Sequence, residues 1–363
     1  MSTPTAPMNY PAEPQAFLDA PRATPGRPLH GQSPSARSGA AASRAARNKA
    51  PVLSCVIPCR NEAGNLDLLL PQLLELLPTL TTAWEIILVD DGSTDSTPAV
   101  MADWSALPGF RVLQLSRNFG KDAALTAGLQ AAAGEVVVMM DADLQHPPGL
   151  ISSMVEQWRQ GVDVVYAVRA NRDDEGLLKR LGARLFYTLL NRSARFQVPA
   201  DAGDFRLLDR AAVDALLALP ERNRFMKGLY AWIGFDAVAL PYMPKPRAHG
   251  HSHFSASRLL HMTIDGLTSF TTWPLRLVSA AGVAMALAGF GYGSYVVIDY
   301  FLYGNSVSGW TTIVVTLLFF LGVQMISLGI MGEYVARIFE EVKGRPLYIV
   351  KRDLGQGLQV PRQ

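Results

Sequence analysis

Val136-Val137-Val138-Met139-Met140-Asp141-Ala142-Asp143-Leu144-Gln145-His146-Pro147 is the stretch on which the fold turns. Its apolar run is bounded by Gly134 before it and Pro147-Pro148 after it, which predicts a short buried strand of a parallel sheet. The strand ends by presenting two carboxylates and an amide. Side chains alternate along a strand, so Asp141 and Asp143 are expected to point the same way. Two hard oxygen ligands converging at the carboxyl end of a strand suit Mg²⁺ or Mn²⁺ holding a diphosphate. The ligand crevice of an open α/β sheet lies at those strand ends. A D-x-D spacing also marks ordinary solvated turns. Its place after a fully apolar run, and a second acidic pair upstream, favour the metal.

That second pair is Asp90-Asp91, at the end of Ile86-Ile87-Leu88-Val89. Gly92-Ser93-Thr94-Asp95-Ser96-Thr97-Pro98 follows, where Asp95 or Ser96 caps the next helix and Pro98 fits its first turn. A third strand, Leu53-Ser54-Cys55-Val56-Ile57, runs into Pro58-Cys59-Arg60-Asn61-Glu62. Three apolar strands ending in polar or acidic residues, with helical segments between, form the pattern of a doubly wound nucleotide-binding half. No G-x-G-x-x-G follows the first strand, which argues against a dinucleotide dehydrogenase. No G-x-x-x-x-G-K-[ST] is present either, so an NTPase phosphate loop is unsupported.

Together, I-P-x-x-N-E (Ile57 to Glu62), V-D-D-G-S-x-D (Val89 to Asp95), R-N-x-G-K (Arg117 to Lys121) and D-A-D-L-Q (Asp141 to Gln145) resemble the GT-A fold glycosyltransferases of family two. Gly203 to Arg210 and Glu221 to Gly228 narrow the resemblance to the polyisoprenyl-phosphate glycosyltransferases, the branch of bactoprenol glucosyltransferases and dolichol-phosphate mannose synthases. It runs from about residue 53 to about residue 351 and is specific for fold and reaction more than for the sugar.

The resemblance implies an α/β chain with a GT-A, Rossmann-like nucleotide-sugar domain followed by two transmembrane helices. It implies transfer of a hexose from UDP-glucose or a related UDP-sugar to undecaprenyl phosphate, with inversion. Pro58, Asn61, Glu62 and Asp91 would surround the uracil, and Lys121 and Asp141 would face the rest of the donor. A divalent Mg²⁺ or Mn²⁺ would be held by Asp141, Asp143 and Gln145. Asp204 is the implied catalytic carboxylate, with Asp143 beside it; alternatively Asp204 is a turn aspartate before a strand at 205–208. The acceptor phosphate would meet Arg184, Arg206, Arg247, Ser252 and His253. Similar proteins often form tetramers, which makes a homotetramer the implied assembly.

Membrane association is read independently of that likeness. Leu277 to Ile298 and Thr311 to Gly332 each contain no Asp, Glu, Lys or Arg, and each spans 22 residues. Roughly 20 apolar residues cross a hydrocarbon core. Between them the only charge is Asp299, whereas Arg258 and Arg276 precede the first span and Arg337, Lys343, Arg345, Lys351 and Arg352 follow the second. The positive-inside rule therefore puts both flanks and the catalytic domain in the cytoplasm, on a multi-pass protein of the inner membrane. Trp273, Tyr300, Tyr303 and Trp310 stand where interfacial aromatics belong. Leu260, Ile264, Leu267 and Thr271 recur at helical spacing, as an amphipathic helix that either lies on the bilayer or packs on the globular domain.

The 363 residues and 49% hydrophobic content suffice for one large core and two spans, and net charge is only +2. Residues 1–50 carry Arg22, Arg27, Arg37, Arg44, Arg47 and Lys49 against Glu13 and Asp19, so the remainder is slightly acidic and no nucleic-acid face is implied. This Ala-, Pro-, Ser- and Arg-rich tail lacks periodicity and is expected to be disordered. The expected domains are the tail at 1–50, the GT-A domain at 51–253, an interfacial helix at 254–274, two transmembrane helices at 275–336 and a cytoplasmic tail at 337–363. Cys55 and Cys59, about 13 Å apart along an extended strand, are too distant for a disulfide and read as reduced thiols.

Two further clusters carry candidate chemistry. His249, His251 and His253 alternate in a way that would suit zinc, but no cysteine is near and the flanking Gly250 and Ser252 favour a phosphate-side loop. The family's segment there reads R-x-x-G-x-S-K plus an aromatic; Arg247, Gly250, Ser252 and Phe254 match, and His253 replaces the usual lysine. Lys179, Arg180 and Arg184 share a helical segment, Gly176 to Leu190, as either a solvated basic face or a grip on the lipid phosphate. The rival enzyme, a processive polysaccharide synthase, would carry Q-x-x-R-W, which the sequence lacks. The rival of another class is a non-catalytic scaffold assisting lipid flipping; carboxylates at the strand ends argue against a decayed site.

Overall fold

The computed structural model describes residues 51–169, 198–199, 202–222, 224–243, 273–303 and 309–358. Expectations placed on residues 1–50, on Lys179, Arg180 and Arg184, on Arg247 through Phe254 and on the amphipathic segment to Thr272 lie outside these.

Eight strands form one mixed sheet in the order β7-β5-β6-β4-β1-β2-β3-β8. Its centre is parallel: the three predicted strands β1 (Leu53–Cys59), β2 (Trp84–Asp90) and β4 (Val136–Met139), joined beside β2 by β3 (Phe110–Leu115), which the sequence reading did not include. Each is almost wholly buried, as continuous apolar runs require when helices cover both faces. Alternation along β1 and β2 sorts the side chains. Leu53, Cys55, Ile57, Ile86 and Leu88 face α1 (Ala63–Leu80), α2 (Thr97–Ser105) and α4 (Leu150–Arg159). Val56, Ile87 and Val89 face α3 (Lys121–Ala131), α5 (Arg210–Leu217) and α6 (Met226–Trp232).

The other half departs from a doubly wound repeat. β6 (Ala202–Asp209) runs antiparallel between β4 and β5 (Val164–Arg169), and β7 (Ala237–Tyr242) pairs parallel with β5 at the edge. Asp204 therefore lies within a strand, not in a turn before one. The turn chemistry at α2 follows the sequence: Asp95 Oδ1 accepts from the Thr97 backbone N–H at 3.0 Å, and Pro98 sits in the first turn.

Two long helices, α7 (Trp273–Tyr303) and α8 (Trp310–Lys343), come after β7 in the chain. Windows within them, Leu277–Tyr295 and Val315–Lys343, are long and apolar enough to cross a membrane and are not buried in the protein. α8 continues to Lys343, past the expected limit of residue 336, and ends on Gly344 in the left-handed conformation.

The C-terminal segment then returns to the catalytic sheet. β8 (Val350–Gly355) pairs antiparallel with β3, so the far edge of the sheet is closed by residues expected to be a tail. Arg111 grips Asp353 with both arms, at 3.1 and 2.8 Å, and Leu358 N–H donates to the buried Glu85 at 2.9 Å. Cys55 and Cys59 are both buried and unbridged.

Candidate active site

The sequence places three loops at the carboxyl ends of β1, β2 and β4, and the structure builds a cavity of about 300 Å³ there. Of the expected donor residues, Pro58, Glu62, Asp91, Lys121 and Asp141 line it. Asn61 shapes its rim instead. At φ 57° Asn61 accepts from the Thr94 backbone N–H at 2.8 Å and donates its own N–H to Ser93 Oγ at 3.0 Å, tying the first loop to the second.

The Asp90-Asp91 pair divides its work. Asp90 accepts from Ser93 N–H at 2.9 Å and closes the turn. Asp91 accepts from the backbone N–H groups of Phe119, at 2.7 Å, and Gly120, at 3.0 Å. Asp91 thereby clamps the Arg117-to-Lys121 loop beneath the cavity. Gly92 permits this close approach: its φ is +66°, and a Cβ there would meet Asn118 N at 2.5 Å. Burial raises the Asp91 pKa, against the lowering by those two backbone donors.

Asp141 and Asp143 converge, but not by strand alternation. β4 stops at Met139, and both carboxylates sit in the turn beyond it, where Leu144 adopts φ 60°. That turn gathers ligand atoms of Asp141, Asp143 and His146 within 4.8 Å of one another. His146 was not foreseen as part of the cluster. Its ring packs against Phe205 and Tyr242 at centroid distances of 4.9 and 5.4 Å, and its buried Nδ1 has no hydrogen-bond partner among the described residues. Burial pulls its pKa down while Asp141 and Asp143 pull it up, and the neutral imidazole is the form that ligates. Two carboxylates and an imidazole whose buried Nδ1 is unpartnered among the described residues fit a divalent cation. Gln145, the expected third ligand, accepts from Arg169 Nη2 at 3.1 Å, which leaves its oxygen one lone pair.

Asp204 reaches the same place by sheet register. β4 and β6 pair Met139 with Arg206, and continuing that antiparallel register sets Asp204 opposite Asp141. Two facing carboxylates repel, and Lys121, the first residue of α3, resolves the conflict. Its Nζ lies 2.7 Å from Asp141 Oδ1 and 2.7 Å from Asp204 Oδ2. Burial alone would raise the Asp204 pKa, but Lys121, Lys227 and Arg206 hold it well below the usual carboxylate range. Lys121 in turn is held above the ordinary lysine value by its two carboxylates, which outweigh its desolvation.

Arg206 lies behind Asp204 rather than on an open face. It is 3% exposed, stacks 3.5 Å over the Tyr230 ring and donates to Gly203 O. Of the expected acceptor residues it alone is described. Asp122, next to Lys121, also escaped the sequence reading. Burial and the neighbouring Asp204 push its carboxyl up to about 7. Its one visible signal was adjacency to the motif lysine.

Residues 54–217 match glycosyl transferase family 2, and residues 273–338 match the GtrB C-terminal hairpin. An uncharacterized glycosyltransferase of Synechocystis sp. is 42% identical over 299 residues, covering 82% of this chain and 94% of the relative. A prophage-derived bactoprenol glucosyl transferase of Shigella flexneri is 38% identical over 301 residues, covering 83% and 97%. Among solved structures, a mannosyltransferase of Pyrobaculum calidifontis, in complex with GDP-Man and Mn²⁺, is 17% identical over 82% of this chain and 88% of its own, with a TM-score of 0.45.

Proposed function

The chain belongs to glycosyl transferase family 2, and from that premise we propose that it transfers glucose from UDP-glucose to undecaprenyl phosphate, with inversion. The observation that carries this reading is the bridge from Lys121 to Asp141 and Asp204, beside a strand-end cavity that Lys121, Asp141 and Asp143 line. The bactoprenol glucosyl transferase relative, matched along nearly its whole length, supports the acceptor and the sugar. The match of α7 and α8 to a GtrB hairpin supports a lipid acceptor reached at a membrane.

The nucleotide would lie over the ends of β1 and β2, with Pro58, Glu62 and Asp91 in the cavity wall. Asp141, Asp143 and His146 would hold Mg²⁺ or Mn²⁺, with Gln145 free to add one lone pair; the imidazole favours Mn²⁺ of the two. Such an ion would neutralise the diphosphate leaving group. An acceptor phosphate oxygen forms the new bond to the anomeric carbon as the bond to UDP breaks on the opposite face. A phosphate monoester is largely ionised near neutral pH, so this step needs no strong general base. That suits Asp204, whose lowered pKa makes it a poor proton acceptor. Its role is to orient the sugar or the acceptor. By resemblance Arg184, Arg247, Ser252 and His253 meet the lipid phosphate, and Arg206 supports Asp204 from behind.

Purified protein incubated with undecaprenyl phosphate and a panel of labelled nucleotide-sugars tests the proposal. Label from UDP-glucose should pass into organic solvent. Transfer from a different sugar would replace the donor; label in water-soluble polymer would favour a processive synthase; no transfer with any donor would refute the activity.

A further inference from the structure

Lys121 touches both the carboxylate proposed to hold the metal and the carboxylate proposed to orient the reactants. Its ammonium is 2.7 Å from Asp141 and 2.7 Å from Asp204. Its side chain is 42% exposed, against 26% for Asp141 and 14% for Asp204, so of the three it is the most open to solvent. Its flexible four-carbon stem springs from the first turn of α3, directly after Gly120 at φ 100°. Asp143 and His146 complete the ligand cluster with Asp141, their ligand atoms lying within 4.8 Å of one another.

A divalent ion held by Asp141 would share that carboxylate with the Lys121 ammonium already in contact with it. Two cations on one carboxylate repel, and Asp204 offers the lysine a second anionic seat. We infer that Lys121 is a counter-ion latch, bridging Asp141 and Asp204 in the empty site and yielding Asp141 to the incoming divalent cation while it stays on Asp204. The latch keeps two facing carboxylates together without metal. It also couples metal loading to the placement of Asp204, through one side chain. Lys121 is thus a positioning residue whose cost is weakened metal binding in the absence of donor. The inference rests on the metal reading of Asp141, Asp143 and His146.

The test is Mn²⁺ binding to the full-length protein in detergent, without donor, followed by electron paramagnetic resonance. Lys121→Met should bind Mn²⁺ at least about tenfold more tightly than wild type, one decade being a modest coupling between neighbouring charges. At saturating Mn²⁺ its kcat should fall by about 10–100-fold, more than any change in donor KM, because Asp204 is no longer held. Lys121→Arg keeps the charge and should stay within about threefold of wild-type Mn²⁺ affinity. Asp204→Asn should weaken Mn²⁺ binding, and most of that loss should vanish when it is combined with Lys121→Met. Unchanged or weaker Mn²⁺ binding in Lys121→Met, with Asp141→Asn still abolishing it, overturns the latch and leaves the metal site standing. Mn²⁺ binding indifferent to Asp141→Asn overturns both.

Discussion

Asp141 and Asp143 stand in a turn whose backbone, not whose strand, brings them together, so each contributes charge and little packing. Asp141→Asn and Asp143→Asn should therefore lower transfer by about 10²–10³-fold, as loss of an anionic metal ligand implies, with the melting temperature nearly unchanged. Normal turnover in either, with metal still required, would remove the residue from the ligand set. Asp122 invites a different measurement. Its folded pKa is about 7 and its ordinary value 3.8, so the folded state holds a proton that the unfolded chain releases. Folding therefore loses stability as pH rises from about 4 to about 7, and the loss is complete above that. Asp122 accepts from the Met226 backbone N–H, and Asp122→Asn mimics the protonated form while keeping an oxygen for that bond. Its melting temperature relative to wild type should climb by a few degrees between about pH 5 and about pH 8. Parallel curves would mean that Asp122 is not protonated in the folded protein.

Among the elements, α3 carries the most consequence, since it bears Lys121 and Asp122 and packs across β1 and β2. Gly128 makes this packing possible: a Cβ there would collide with Val56 Cγ1 and come within 3.2 Å of Val89 Cγ2. Gly128→Ala should cost about 1–3 kcal/mol by overpacking, and Val56→Ala in the same chain should recover part of it, because the new methyl then has room. Additive losses in chemical denaturation would show that α3 shifts as a body instead. The central strands were legible because burial on both faces writes a continuous apolar run, and the functional loops because they follow such runs directly. The antiparallel placement of β6 was not legible. Nothing local in Phe205-Arg206-Leu207-Leu208 states which neighbour it joins, yet that register is what sets Asp204 against Asp141. His146 was hidden for a similar reason: its place depends on the Leu144 turn and on Phe205 and Tyr242 from distant strands. β8 was the least legible, since Val350-Lys351-Arg352-Asp353 reads as a charged tail until β3 supplies Arg111 and a free edge.

At the scale of the whole molecule, that returning strand bears on membrane topology. Residues 350–355 follow the end of α8 closely and are hydrogen-bonded to β3, so the C-terminal end of the hairpin lies on the catalytic side. The Arg222 N–H donates to Glu341 near the end of α8 at 2.8 Å, a second tie between hairpin and catalytic domain. The proposed nucleotide-sugar donor would require the catalytic sheet to face the cytoplasm, and the basic flanks Arg276, Arg337, Lys343 and Arg345 carry the charge bias that the positive-inside rule expects of that side. The connector containing Ser306 should then face away from the cytoplasm. The native thiols make this directly measurable: Cys55 and Cys59 are buried, and burial pushes Cys55 up to about 12 and Cys59 well above its usual value, so neither competes for a thiol reagent. Ser306→Cys in intact cells should react with an impermeant maleimide, and Ser257→Cys should react only after the membrane is opened. The reverse pattern would set the catalytic sheet outside, away from its donor. Labelling of both from outside would mean that α7 and α8 do not span the bilayer at all.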